Sequence, residues 1–165
     1  MDERASQEAE VLRTGFKLGF FGKRDIERWA DRQIAAVDEP SSALIDLSMN
    51  QRLTSDDVLT LLEVVGQFDA RQSVETEIGI IGLLLSSRRI AVFEAVRFLW
   101  PLVYASGVTD AQASRICDLD HGYDLALEGI HGTTGQIESE LRNFVTTYAG
   151  KLVRDYPELF ATLNS

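Results

Sequence analysis

A single cysteine, Cys117, is present in this sequence. One thiol can form neither an intrachain disulfide nor a zinc site built on several thiolates, and a lone thiol suits a reducing compartment. Histidine is almost as scarce: His121 and His131 stand ten apart, each before a glycine. There is no pair of histidines four apart and no Glu-x-x-His repeat on a second helix, so the paired metal motifs of helical bundles are missing. Bases are outnumbered, 16 Lys and Arg against 26 Asp and Glu, for a net charge of −10. Nucleic acid is itself a polyanion, so no nucleic-acid partner is expected. Lys23, Arg24, Arg28 and Arg32 do share one predicted helix, but Asp25, Glu27 and Asp31 interrupt them, which describes a solvated face. Long apolar runs are lacking too. Ile78–Leu85 stops at Ser86-Ser87-Arg88-Arg89 and the next run contains Glu94 and Arg97, whereas a membrane span needs roughly 20 apolar residues. The opening MDERASQEAE has neither the basic nor the apolar region of a signal peptide, so the expected location is cytoplasmic. No period-two strand pattern occurs.

What remains is helical. A chain of 165 residues suggests one domain over 1–165, with 1–8 frayed, able to bury about 70% of its unfolded surface without metal or disulfide. The apolar stretch Ile78–Ala105 predicts a buried central helix pair, about 74–86 and 88–105, with Trp100 in the core and Pro101 kinking or dividing the second helix. Gly79 and Gly82 lower helix propensity by about 1 kcal/mol each, which predicts close helix approach at both. Around this pair the sequence predicts a multi-helix bundle of antiparallel hairpins. A first helix over 4–18 carries Ala9, Leu12 and Phe16. A second begins at Gly22, stapled by Phe21 and Ile26 with Asp25 at N3, and buries Ile26, Trp29, Ala30, Ile34 and Val37 before ending near Asp38-Glu39-Pro40. Ser41 or Ser42 caps a short third helix. Thr54 caps a fourth with the stripe Val58, Leu61, Leu62, Val65 and Phe68. Thr109 with Gln112 and Thr133 with Gln136 form capping boxes for two later helices. The first of these presents Ile116, Leu119, Tyr123, Leu127 and Ile130 inward, and Tyr156-Pro157 starts a last short helix.

The strongest polar constellation is Asp118, Asp120, His121, Asp124 and Glu128. Asp120, Asp124 and Glu128 are spaced by four and stack along one helix face. Carboxylates beside a histidine can hold a divalent ion, which makes a metal-dependent enzyme the alternative function, but an acidic solvated face has the same pattern. The run Gly129–Gly135 lacks the lysine and the preceding strand of a phosphate loop and is expected to join two helices. Cys117 has only Arg115 and His121 nearby, without a third group to orient a nucleophile, and is expected to be a buried inert thiol. No catalytic residue, metal ligand or cofactor is assigned. Charge is more informative. Between Asp110 and Glu140 seven acids face Arg115 alone, a net −6, and such a patch attracts a basic partner and speeds its encounter.

GFFGKRDIERWADRQI, followed by Asp38-Glu39-Pro40 and Leu44-Ile45-Asp46-Leu47-Ser48, resembles a segment of small acidic helical bacterial proteins of unknown function, some of them regarded as immunity partners of polymorphic toxins. The resemblance covers about residues 15–50 and rests on core and capping positions. It implies a helical protein binder and carries over no site residue. The expected function is therefore a non-catalytic protein that binds and regulates a protein partner of basic charge, such as a toxin, with Asp118, Asp120, Asp124 and Glu128 as contact residues. A helical scaffold that forms homo-oligomers is the remaining alternative.

Overall fold

Each helix start that the sequence marks with a cap is found. The structure is a computed structural model describing residues 3–66 and 69–161, and among these there are nine α-helices, two short 3-10 segments and no strand. The helices are α1 (Glu3–Lys17), α2 (Lys23–Ala35), α3 (Ser42–Ser48), α4 (Ser55–Val65), α5 (Ala70–Ser86), α6 (Val92–Leu99), α7 (Asp110–Leu127), α8 (Thr134–Asp155) and α9 (Pro157–Phe160), with 3-10 turns at Asn50–Arg52 and Trp100–Tyr104. The fold class is all-α. The contacts within the chain divide into two compact units, Met1–Phe68 with Tyr156–Ser165, and Asp69–Asp155.

In the first unit, α1 packs on α4, and α3 packs on both α2 and α4. Gly22 starts α2, its N–H donating to Asp25 Oδ2 at 2.8 Å. Ser41 is the cap of α3, accepting from the Leu44 N–H. Thr54 and Asp57 form a reciprocal box, and hydrogen bonds from the Thr54 hydroxyl and N–H hold the Asp57 carboxyl below its ordinary pKa. Trp29, Ile26 and Ala30 are buried as the α2 stripe requires. α2 nonetheless stops at Ala35, before the residues that Pro40 restricts, so Ile34 is only half-buried and Val37 is exposed. In α4, Val58, Leu62 and Val65 are buried and Leu61 is half-buried; Phe68 lies outside the described residues. α1 starts at Glu3 with Ala5 already buried, where a frayed start was expected. It ends in a glycine turn. Gly19 takes φ +75°, Phe20 N–H donates to Gly15 O at 2.7 Å, and Phe20 and Phe21 then pack on Phe160 of α9.

In the second unit α5 and α8 form the main pair. α5 is apolar on nearly every side, and Ile78, Ile80, Ile81, Leu84 and Leu85 are all buried. The two glycines permit this packing: a Cβ on Gly82 would lie 2.8 Å from the Val145 carbonyl, and one on Gly79 would lie 3.1 Å from that of Tyr148. Glu75 at the start of α5 ties the pair by accepting from Lys151 of α8 at 2.6 Å and from Arg71 at 3.1 Å. Burial pushes the Glu75 carboxyl up, but these hydrogen bonds and charges outweigh it and leave its pKa lowered.

The second half of the expected central pair differs. α6 begins at Val92, four residues later than expected, and ends at Leu99; Trp100–Tyr104 tightens into a 3-10 turn. Pro101 has no N–H to continue the α-helical ladder and its ring crowds the preceding turn. Ala95, Val96 and Leu99 are buried, but Phe93, Phe98, Trp100 and Tyr104 are exposed. The all-round apolarity of this stretch is thus only half spent on the core, and Trp100 is not a core residue. Gly107, at φ +105°, turns the chain where a Cβ would come within 2.5 Å of the Ala70 backbone.

Candidate functional site

α7 carries the acids singled out by the sequence. It starts at the predicted box, Thr109 accepting from the Gln112 N–H and Gln112 Oε1 from the Thr109 N–H, and Gln112 Nε2 donates to the Tyr148 hydroxyl of α8 at 3.0 Å. Its first half is buried at Ile116 and Leu119. Its second half is not: Tyr123 is half-buried, Leu127 is 61% exposed, and Ile130 in the following turn is 66% exposed. The expected continuous inner face therefore ends at Leu119. The helix closes on Gly129, at φ +68°, with Ile130 N–H donating to Leu125 O at 2.9 Å, a left-handed C-cap. The glycine-rich loop is the helix connection expected, and Thr133 with Gln136 caps α8.

Where α7 loses its cover, an open groove of about 590 Å³ forms, lined by Ala91, Val92 and Phe93 of α6 and its approach, Tyr123 and Leu127 of α7, and Thr134 and Glu138 of α8. Residues three and four apart are surface neighbours on a helix. Asp120 is three before Tyr123, and Asp124 is three before Leu127, so both border the groove-lining positions; Glu128 continues their row. Asp118 is turned about 140° from Tyr123 and does not share that edge. Among the described residues, none of these four acids has a side-chain hydrogen bond or ion pair. Of the three other acids between Asp110 and Glu140, two are in ion pairs, Glu138 with Arg142 at 2.7 Å and Glu140 with Arg115 at 3.0 Å.

The position of the free acids opposes local stability. Asp120, Asp124 and Glu128 repel one another at i,i+4. Asp124 lies in the last turn of α7 and Glu128 is its C-cap, where the helix dipole favours cations instead. A sequence that breaks a local rule without a compensating contact marks a functional position more often than a structural one.

From Phe93, which lines the groove, exposed side chains follow along α6 and the 3-10 turn after it. The Arg97 guanidinium lies 5.1 Å from the Phe93 ring centroid. One turn on, Trp100 and Tyr104 meet edge to face at 6.1 Å, and Tyr104 is 78% exposed. The sequence placed these aromatics in a core. The signal that could have separated them is excess: α6 has more large apolar residues than one buried stripe needs.

The metal arrangement does not assemble. Among the described residues no group of three or more His, Cys, Asp or Glu side chains comes together in a way that could hold an ion. His121 and His131 are exposed, and Cys117 is a half-buried free thiol rather than a fully buried one. Among the basic residues of α2, Arg28 bonds Asp25 and Lys23 donates to the Leu53 carbonyl, while the interleaved Glu27 and Asp31 accept from Gln51 and Ser48. In α1 the structure adds something the stripe Ala9, Leu12 and Phe16 did not show. Glu8 and Glu10 are buried, each fully engaged. Trp29 Nε1 and Gln33 Nε2 donate to Glu8 Oε2 at 2.9 and 3.3 Å, and Arg13 grips Glu10 through two nitrogens. These carboxylates have structural partners. No described helix is long and apolar enough to cross a membrane.

No protein-family model matches the sequence, no curated protein is similar to it, and no solved structure matches its fold.

Proposed function

We propose that this protein is a non-catalytic binding protein that masks or regulates a basic protein partner, with neutralisation of a toxin, as an immunity protein, its specific form. One observation carries the proposal. An apolar groove stands open beside Asp120, Asp124 and Glu128, acids that lack partners and oppose the dipole of their own helix. Exposed apolar surface rimmed by charge is the usual composition of a protein contact site. An acidic rim favours partners of the opposite sign and accelerates their encounter. The weak resemblance of residues 15–50 to immunity proteins agrees with this function but does not locate the contact face.

The test uses affinity capture from the native host with two baits, the wild type and the variant Asp118→Asn, Asp120→Asn, Asp124→Asn, Glu128→Gln. Association kinetics are then measured on the recovered partner between about 50 and 500 mM salt, roughly a threefold change in Debye length. Slower association of the variant, and a wild-type rate that falls with salt, are expected. Equal rates for both baits across that range would remove the acidic edge from the function and leave a scaffold or self-associating protein as the better account.

A further inference from the structure

We infer that the groove between α6 and α7 receives an amphipathic α-helix of the partner, its apolar face on Val92, Phe93, Tyr123 and Leu127 and its Lys or Arg side chains along the acidic edge of α7. This rests on the protein-binding function proposed above and names the element bound. Three independent features support it.

The first is shape. The walls of the groove are helices and helix ends. Among the described residues there is no strand edge on which an extended peptide could be added through backbone hydrogen bonds, the alternative common mode of peptide recognition. Helical ridges leave grooves that are filled by side chains at i, i+3, i+4 and i+7 of another helix.

The second is composition. Phe93 leads through Arg97 to Trp100 and Tyr104, all exposed. Trp, Tyr and Arg are the residues in which binding energy concentrates. A row of them that starts at the groove residue Phe93 provides anchoring contacts beyond the groove's own apolar side chains.

The third is charge, and it is asymmetric. On the α6 side Arg97 lies over Phe93, and the Glu94 carboxylate is taken up by the Ala91 N–H at the start of the helix. Glu138 on the α8 side is held by Arg142. The free acids are on α7. A bound helix therefore meets opposite charge if its bases line the α7 edge, and an acidic helix is repelled there.

The experiment selects random peptides of about 18 residues, displayed on phage, against the full chain. Enriched peptides are then titrated against the wild type, Leu127→Asp, Phe93→Ser and the triple variant Asp120→Asn, Asp124→Asn, Glu128→Gln. Leu127 is mostly exposed, so Leu127→Asp is expected to fold; a melting curve checks this, and Phe93→Ser, at a second exposed groove position, serves if it does not. The expected peptides are net basic, with apolar residues at helical spacing. They bind at least about tenfold more weakly to either groove variant, a difference of about 1.4 kcal/mol, and about threefold more weakly to the triple variant. Enriched peptides that are acidic, lack helical periodicity or bind Leu127→Asp as well as wild type would overturn the inference, as would a failure to enrich any. The two proposals fail separately. A native partner whose association depends on the acids but which ignores Leu127→Asp preserves the function and removes the groove. Basic helical peptides that need Leu127, together with a native partner indifferent to the acids, do the reverse.

Discussion

The indole Nε1 of Trp29 donates to the Glu8 carboxylate at 2.9 Å, and both side chains are buried. The bond joins α2 to α1 and explains why an acid lies inside the first helix. Arg4 reaches the other oxygen at 3.4 Å and Gln33 shares the first. Removing the carboxylate leaves the indole N–H buried without an acceptor, which costs about 1–3 kcal/mol. Glu8→Leu is therefore expected to lower the free energy of unfolding by about 2 kcal/mol, and Glu8→Gln, which keeps an acceptor, by about half that. Urea titrations followed by tryptophan fluorescence would measure both; an unchanged midpoint for Glu8→Leu would show that the bond adds nothing net.

Two glycines in paired helices should respond oppositely to alanine. Gly82 of α5 faces the Val145 carbonyl, with 2.8 Å between it and a new Cβ, whereas Gly150 of α8 has nothing within 4 Å. Alanine improves helix propensity by about 1 kcal/mol at either site. At Gly150 that gain should appear as a higher melting temperature. At Gly82 the two helices must separate, and overpacking of this kind costs about 1–3 kcal/mol, so Gly82→Ala should melt lower than wild type. If both variants rise, α5 and α8 are not held in such close contact at Gly82.

The Glu75 ion pairs should show in the pH dependence of stability. The folded pKa of Glu75 is lowered, so its contribution is present in full above the unfolded carboxylate pKa of about 4.3. It is lost as pH falls through the lower, folded value. Glu75 is 16% exposed, but Lys151 and Arg71 are 52% and 70% exposed, so solvent screening limits the effect to about 1 kcal/mol. Glu75→Gln should be less stable than wild type by about this amount at pH 7, with the gap narrowing as acid takes the pH below the unfolded value and through the lower folded one. A gap that does not narrow on acidification would assign the loss to packing.

The acids of α7 should be a liability in the free protein. Asp124→Asn with Glu128→Gln removes an unfavourable dipole interaction and i,i+4 repulsion, and is expected to raise stability by about 0.3–1 kcal/mol. Asp124→Lys with Glu128→Lys should raise it further, and added salt should shrink both gains. Thermal melts at two salt concentrations test this. A loss of stability in the neutral variant would mean that these carboxylates have a structural role, and would weaken the case that they are there for a partner.

For the candidate site, the sequence supplied the charges and misjudged the apolar residues. Asp120, Asp124 and Glu128 form a row because a helix turns about 100° per residue, and a spacing of four suffices to show it. That Tyr123 and Leu127 lie open beside that row was not legible, since they continue the same period as the buried Ile116 and Leu119. Phe93, Trp100 and Tyr104 were hidden in the same way, because apolarity on every side of a segment describes a core helix and a binding helix equally.

The sequence by itself determined the capped helix starts and the glycine-marked helix ends. Thr54, Thr109 and Thr133, with an acceptor three residues on, satisfy orphan N–H groups locally; Gly19 and Gly129 end helices because only a residue tolerant of positive φ fits there; and Gly79 with Gly82 announces a close approach. These effects act within one or two turns of chain and need no distant partner. Tertiary structure alone decided which apolar faces are covered, that Glu8 meets Trp29 across 21 residues of sequence, and that α7 runs out of neighbours after Leu119. Burial depends on which elements meet in space. Hydrophobic periodicity fixes the direction in which a side chain points along its helix, but not whether anything stands opposite it.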